Sequence, residues 1–201
     1  HLPVMIHAAE SAAEKTLMLS GSGPFAAGLR QRNIAWLTPG VSSVQYLYRL
    51  GVLYAQPLLA HCINVDDQDI DIIKSTNAKV AHCPKSNAKL RHGSAPFAKF
   101  VSEGLRVGLG SDSVASNNTC DLLEEARFAM LLSRVKWFGD DRGFAYEVTA
   151  QDALRAPPGA APKLSEWKIA SALCARALRP TSPSSRSQGR ITRRSMIQRA
   201  P

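Results

Sequence analysis

Four short apolar runs in this sequence are each followed directly by a polar side chain that could do chemistry. In chain order these are His7 with Glu10, then His61, His82 and Asp112. Imidazole nitrogens and carboxylate oxygens bind divalent metals, and the same groups move protons. A single histidine or aspartate at a strand end is often structural. The recurrence of such residues after successive runs favours one shared site.

The segment His-Ala-Ala-Glu places His7 and Glu10 three residues apart. A helical turn after the strand would bring both side chains to one side. His7 could then bind a metal, and Glu10 could carry protons to and from a water molecule that the metal activates. The alternative is a strand-end histidine followed by a glutamate that favours the helix dipole, and this alternative is preferred when the segment is considered alone.

Two further candidates leave similar alternatives open. His61, in Leu-Leu-Ala-His-Cys, could bind a metal, polarise a substrate, or be a buried histidine satisfied by the backbone. Asp112 ends the run Gly-Leu-Gly-Ser-Asp and could be a metal ligand, a proton acceptor or a helix N-cap.

The polar segment 83–90 contains Pro84 and Asn87. It could shape a substrate pocket, with Asn87 in contact with the substrate, or it could simply be a turn. We interpret His82 and His92 as structural, because the sequence offers neither an evident partner.

The elements that must position these residues alternate between strands and helices. In parallel α/β folds, and above all in (β/α)₈ barrels, chemistry takes place at the carboxyl ends of the strands. Short apolar runs bounded by turn residues predict strands, and apolar residues at helical spacing predict helices. The predicted strands are 3–6, 57–60, 78–81 and 106–109, and the predicted helices are 44–50, 67–75, 95–103 and 121–135.

The formal net charge of +9 is unevenly distributed along the chain. Up to Arg155 there are 16 Lys and Arg against 15 Asp and Glu, whereas residues 156–201 carry nine against one. This basic segment contains a single aromatic residue, Trp167, and lacks the alternation of aromatic and basic residues that binds single strands. A nucleic-acid partner is therefore disfavoured, although a binding protein with a basic tail is the alternative from a different functional class.

The cysteines and the start of the chain give weaker indications. Cys62, Cys83, Cys120 and Cys174 are widely spaced without a CxxC pair, which favours a reduced, cytoplasmic protein over a disulfide framework or a zinc knuckle. No run of 18 apolar residues predicts a membrane helix. The chain begins with His1 rather than Met, and we expect further sequence before it.

Several motifs together resemble one family. Residues 1–155 are similar to the methylthioadenosine/S-adenosylhomocysteine deaminases and, more widely, to the guanine deaminase, cytosine deaminase and triazine chlorohydrolase branch of the amidohydrolase superfamily. Any one motif would be weak, but their order along the chain is specific. The motifs are His7-Ala-Ala-Glu10, Ala60-His61-Cys62, Cys83-Pro-x-Ser-Asn-x-Lys-Leu90, Ala95-Pro96 and Gly108-Leu-Gly-Ser-Asp112-x-x-Ala-Ser-Asn-Asn118.

The resemblance implies a partial (β/α)₈ TIM-type barrel, strands five to eight with covering helices, and one divalent metal, zinc in the first place and iron as the alternative. His7 would bind the metal after strand five. Asp112 would bind it after strand eight and act as a base for the bound water. Glu10 would carry a proton to the purine ring and the leaving group, and His61 would hydrogen-bond the attacking hydroxide or the substrate.

The implied reaction is attack of metal-bound hydroxide on a ring carbon of a purine-type nucleoside or base, with loss of ammonia. Other substrates of the same branch, namely guanine, cytosine or a chlorinated triazine, are the alternative. The family normally takes two more ligands from an His-x-His pair on the first strand, which this sequence lacks. One His and one Asp make a poor zinc site, so we expect an inactive fragment of a protein that could be oligomeric at full length.

Residues 156–201 depart from the family pattern. Family members would continue with Gly-Gly-Ala, Glu-Asp and Asp-Leu-Val-Val blocks, and a one-base shift in reading frame allows all three in the right order, although only one Glu, from Trp167-Lys168, is forced. We predict a frameshift near Arg155 and a poorly ordered segment after it. The alternative is a disordered basic tail of ordinary origin.

Overall fold

The fold is built on four parallel strands with helices between them. The structure is a computed structural model that describes residues 3–137 and 146–154. The sheet order β1-β2-β3-β4 follows the chain, and each pair of neighbours is parallel. The strands are β1 (Met5–Ala8), β2 (Leu58–His61), β3 (Lys79–His82) and β4 (Arg106–Leu109).

The connections between the strands are mainly helical, as parallel neighbours require. A short 3₁₀ turn, Val52–Ala55, leads into β2. The helices are α1 (Ala12–Ser20), α2 (Gly23–Gln31), α3 (Ser43–Arg49), α4 (Asp67–Ser75), α5 (Pro84–Lys89), α6 (Phe97–Ser102), α7 (Val114–Asn117), α8 (Leu122–Trp137) and α9 (Ala150–Leu154).

The predicted elements are found within two residues at each end. The limits of α4 and β4 agree with the prediction, while β1 lies two residues further along the chain than predicted. The α/β class and the parallel sheet are thus confirmed. This two-residue shift changes the position of His7, which lies inside β1 rather than after it.

Five of the described helices, α1, α2, α5, α7 and α9, were not anticipated by the sequence analysis, and two of them bear on the site. The prediction of a polar loop or turn at 83–90 is wrong, since α5 begins at Pro84, a residue well suited to the first helical turn. The apolar spacing of α1 is weak, because Met18 is its only buried residue. Its start is fixed instead by polar contacts, as Ser11 caps the helix by accepting a hydrogen bond from the Glu14 N–H.

The core lies between the sheet and the helices that cover it. Leu59, Val80 and Val107 point into it from the strands, and Ile73 and Phe100 from α4 and α6. Burying one such side chain contributes about 1.5–3 kcal/mol. The core therefore fixes the strands, and with them the positions of the residues at the strand ends.

The outer edges of β1 and β4 pair with no strand among the described residues. Val4 and Met5, at the first of these edges, are 38% and 43% exposed. None of the described helices combines the length and the apolar character that a membrane crossing requires. The predicted basic segment 156–201, its boundary at Arg155 and Cys174 lie outside the described residues.

Candidate metal centre

Three of the predicted site residues come together at the carboxyl ends of the strands. One potential ligand atom each from His7, His61 and Asp112 lies within 4.8 Å of the other two. The Nε2 of His7 is 3.9 Å from Oδ1 of Asp112. The rings of His7 and His61 have their centroids 5.1 Å apart. The sheet thus gathers side chains that are more than a hundred residues apart in sequence.

The backbone turns sharply where the strands deliver these residues. His61, Cys62 and Asp112 have φ values of 73°, 47° and 55°, and Ala9 has 53°. Residues other than glycine adopt this left-handed region infrequently, and it costs roughly 1–2 kcal/mol. Such strain is often found at functional sites, and four of the nine described non-glycine residues with positive φ lie at the ends of β1 and β2 and after β4.

The carboxylate of Asp112 is held by two hydroxyl groups. Ser86 and Ser116 both donate to its Oδ2, at 2.6 Å and 2.5 Å. Burial raises the pKa of Asp112, but the hydrogen bonds from Ser116 and Ser86 outweigh it, so that this pKa lies below its ordinary value. The carboxylate is therefore ionised at neutral pH, with Oδ1 directed towards His7.

The ring of His61 is buried and oriented by Asn87. The Nδ1 of His61 is 2.8 Å from Oδ1 of Asn87, and both side chains are 1% exposed or less. With Oδ1 as acceptor, Nδ1 carries the proton and Nε2 keeps a lone pair. That lone pair can accept a proton or bind a metal. The structure shows Asn87 in contact with His61, and its substrate contact stays a prediction.

Glu10 lies on the same side of the cluster. Its Oε1 is 3.7 Å from Nε2 of His61 and 3.2 Å from Nδ1 of His92. Its backbone is held by α1, because the carboxylate of Glu14 accepts from the N–H groups of Ala9 and Glu10, both at 2.7 Å. The sequence analysis interpreted His92 as structural and missed its contact with Glu10, because His92 lies far along the chain in a segment without any ligand-like spacing.

His82 is fully buried at the end of β3. Its ring stacks on Phe97 with centroids 4.9 Å apart. Burial lowers the pKa of His82 to about 3, with a smaller contribution from His61. It is therefore neutral at physiological pH, which agrees with the structural interpretation of this residue.

The donor set fits a divalent metal. Ligands of a tetrahedral zinc ion lie about 2.0–2.2 Å from it, and so about 3.4 Å from one another. The separation of 3.9 Å between His7 and Asp112 is close to that spacing. Two imidazoles and a carboxylate are ordinary ligands of zinc. The hydrogen bonds to His61 and Asp112 from their neighbours resemble the outer contacts that orient metal ligands.

The supporting residues Ser86, Ser116 and Glu14 were also missed as functional residues. Ser86 belongs to the Cys-Pro-x-Ser-Asn motif, so a signal for it was present in the sequence. Ser116 likewise belongs to the Gly-Leu-Gly-Ser-Asp-x-x-Ala-Ser-Asn-Asn motif, whereas Glu14 carried no signal, because its backbone partners are set by the turn after β1.

Comparison with known proteins identifies the family. The sequence profile described as "Amidohydrolase family" matches residues 1–156. The chain is 46% identical over 96 residues to a 5-methylthioadenosine/S-adenosylhomocysteine deaminase of Pelotomaculum thermopropionicum, a match covering 48% of this chain and 22% of that protein. The chain thus spans about a fifth of the length of the curated relatives that it matches.

Two solved structures show the same fold. A guanine deaminase from C. acetobutylicum with bound guanine has a TM-score of 0.59 at 26% identity, over 78% of this chain and 33% of that one. An adenosine deaminase from Xanthomonas campestris with bound zinc has a TM-score of 0.58 at 26% identity, over 78% and 30%. The profile covers most of the chain and the fold agrees with it, so this chain belongs to the Amidohydrolase family.

Proposed function

We propose that this chain is part of a metal-dependent deaminase that acts on a purine-type nucleoside or base, with His7 and Asp112 as metal ligands. The observation that carries the proposal is the convergence of His7, His61 and Asp112 within 4.8 Å. The relative named for deamination of methylthioadenosine and S-adenosylhomocysteine supports a nucleoside substrate. The similarity to a guanine deaminase keeps guanine as the second candidate.

We assign the four strands to positions five to eight of a (β/α)₈ barrel. This assignment is supported by their parallel pairing in chain order and by the metal-binding side chains at their carboxyl ends. Both outer edges of the sheet are open to further strands within the described part of the chain. Strands one to four, including an His-x-His pair, would close the barrel and complete the ligand set.

When bound, a divalent metal supplies Lewis acidity and makes a coordinated water more acidic. Zinc is our first candidate, since a similar structure contains it. Asp112 is ionised and accepts a proton from the attacking water. Glu10 is partly exposed and close to His61, so it can relay the two protons that the attacking water releases, directly or by way of Asp112, first to a ring nitrogen and then to the leaving amine.

His61 lies beside Glu10 and can take part in the same proton transfer. Its Nε2 faces Glu10 while Nδ1 is held by Asn87. Nε2 can therefore accept a hydrogen bond from the attacking water or from the substrate, or become a further ligand. Asn87 would serve substrate binding by holding this ring in place. We also propose a cytoplasmic location, on the ground that the cysteines are widely spaced without a CxxC pair.

The test is to supply the N-terminal half of a related enzyme, with its His-x-His pair, and to load the assembled protein with Zn²⁺. Ammonia release is then measured from methylthioadenosine, adenosine and guanine. We expect turnover of a purine nucleoside that Glu10→Gln reduces by about 10²–10⁴-fold. Full activity of the Glu10→Gln variant, or no turnover of any purine by a folded, zinc-loaded assembly, would contradict the proposal.

We further propose that residues 156–201 are encoded out of frame. The family profile stops at residue 156, next to the position near Arg155 where the sequence leaves the family pattern. Sequencing of the gene tests this directly. A one-base correction should open a frame that encodes Gly-Gly-Ala, Glu-Asp and Asp-Leu-x-Val-Val, whereas stop codons in that frame would exclude it.

A further inference from the structure

Glu125, on α8, is a buried carboxylate that the proposed reaction does not use. Its side chain is 0% exposed, and burial raises its pKa despite the hydrogen bonds that it accepts. The nearby ammonium group of Lys85 pairs with the adjacent Glu124 instead. A buried carboxylate is costly unless its oxygens are hydrogen-bonded, so the groups that satisfy it indicate its purpose.

The two oxygens of Glu125 bind two different segments. Oε2 accepts a hydrogen bond from the backbone N–H of Lys85, in the first turn of α5, at 3.1 Å. Oε1 accepts from Nδ2 of Asn117, at the end of α7, at 2.5 Å. The same Asn117 amide also donates to the carbonyl of Ser111 at 2.5 Å. Glu125 thus connects the segment after β3 with the segment after β4.

Both segments carry the side chains that hold the candidate site. Lys85 is followed by Ser86, which donates to Asp112, and by Asn87, which contacts His61. Asn117 is preceded by Ser116, the second donor to Asp112. The side-chain hydrogen bonds that orient Asp112 and His61 therefore come from Ser86, Ser116 and Asn87, each within two positions of a direct contact of Glu125.

We propose that Glu125 is a positioning residue for the metal centre, because it locks α5 and the 111–118 turn together and so fixes Asp112 and His61. This inference rests on the metal site proposed above. Stability alone does not explain these contacts. Burying a carboxylate costs desolvation energy that its partners often only offset, so the group adds little net stability. Partners of metal ligands outside the coordination sphere typically change metal affinity by about 10–100-fold.

Replacement by glutamine tests the role with little change in shape. In Glu125→Gln, one acceptor oxygen becomes an NH₂ group and faces a donor, either the Lys85 N–H or the Asn117 amide. If the Asn117 amide rotates to accept from it, the carbonyl of Ser111 loses its donor. One of the two segments must therefore be released.

The experiment uses the complete 201-residue chain and two measurements. The first is Co²⁺ affinity, from the visible absorption of the bound ion. The second is the tautomer of His61 in the metal-free chain, from nitrogen NMR of the imidazole. For Glu125→Gln we expect at least tenfold weaker Co²⁺ binding and a loss of the single Nδ1–H tautomer.

Two matched controls separate positioning from stability. Glu124→Gln makes the same change at the adjacent residue, whose side chain is 50% exposed, and should leave both measurements unaltered. Asp69→Asn removes another buried carboxylate, whose contacts are with Ser42, Gln45 and Asp66. It should lower the melting temperature without changing the His61 tautomer or Co²⁺ affinity.

The outcomes distinguish this inference from the proposed function. An altered His61 tautomer in a chain that binds no Co²⁺, even after assembly with the N-terminal strands, would support the positioning role and count against the metal site. Unchanged tautomer and affinity in a folded Glu125→Gln variant would overturn the inference. If that variant does not fold, Asn117→Ala releases the Ser111 side alone. It should weaken Co²⁺ binding severalfold with the His61 tautomer intact, and unchanged binding would again overturn the inference.

Discussion

The two sides of the candidate site are held to very different degrees. On the side of β2, β3 and β4, His61 is 1% exposed and Asp112 is 19% exposed, and each has hydrogen-bonding partners that orient it. On the side of β1, the backbone after His7 is fixed by Glu14, but the His7 side chain itself is 65% exposed. β1 is also an edge strand of the described sheet.

Asp112 and His61 therefore form a preformed half of the site, whereas His7 is an exposed ligand. Asp112 and His61 are oriented before any metal binds, so they lose little side-chain freedom on binding. His7 must be ordered at that moment, at a cost of about 0.5–1.5 kcal/mol for an immobilised side chain. A strand added beside β1 would bury His7 and remove this cost. If the proposed barrel assignment holds, the open edge of β1 and the exposed His7 side chain have the same cause, since no described strand lies on the outer side of β1.

The largest expected effect is that of Asp112→Asn in an assembly completed with the N-terminal strands. The chain by itself should show negligible turnover, because two ligands would be absent. In the completed and zinc-loaded assembly, the substitution removes both a ligand and a proton acceptor. We expect turnover to fall by at least about 10³-fold, measured as ammonia release.

A matched control for this prediction is Asp71→Asn on the exposed face of α4, which should keep full activity. Methylthioadenosine turnover by the purified 201-residue chain would contradict the first part of the prediction. Retention of activity by the Asp112→Asn assembly would remove Asp112 from the metal centre.

A second prediction concerns the preformed half. Ser86→Ala and Ser116→Ala each remove one donor to Oδ2 of Asp112. We expect each to weaken Co²⁺ binding about tenfold and the double variant to weaken it further, because outer contacts orient metal ligands. Ser102→Ala, at the exposed end of α6, provides the control. Equal Co²⁺ affinities in the unaltered chain and all four variants would show that Asp112 needs no such support.

Much of the framework could be predicted because local sequence determines it. The run Arg106–Leu109 is a short apolar segment between turn residues, and α4 has both an acidic start and apolar residues at helical spacing. The candidate residues could be predicted as well, since parallel strands bring their carboxyl ends to one edge. His7, His61 and Asp112 meet there even though no local pattern connects them.

The supporting contacts could not be predicted, because they depend on tertiary structure. The segment of α5 has the polar composition of a turn. In the structure it forms a helix, and its Lys85 N–H donates a hydrogen bond to the carboxylate of Glu125. His92 gains significance only through Glu10, which is held in place by α1. The prediction for residues 156–201 lies outside the described residues and stays a prediction.

A third prediction concerns the edge strand. If β1 lacks a neighbour in the isolated chain, its amides should open locally more often than those of β3, which is paired on both sides. We expect hydrogen exchange to be at least about tenfold faster in β1 than in β3. Equal protection would mean that another segment or a partner covers this edge. Addition of the N-terminal strands should slow exchange in β1 and leave β3 unchanged.

The smallest expected effect is that of removing the N-cap of α4, which should lower stability without changing the metal site. Asp66 caps α4 in a reciprocal arrangement, in which its side chain accepts from the Asp69 N–H at 2.9 Å and the Asp69 carboxylate accepts from the Asp66 N–H at 3.1 Å. Asp66→Ala should reduce the free energy of unfolding by about 1 kcal/mol, measured by urea denaturation. Asp66→Ser keeps a capping oxygen and should recover most of this loss. Neither variant touches Ser86, Asn87 or Ser116, so Co²⁺ affinity should stay the same in both. A parallel loss of affinity would mean that the site responds to general stability, and the contrast between a preformed half and an exposed ligand would then lose its basis.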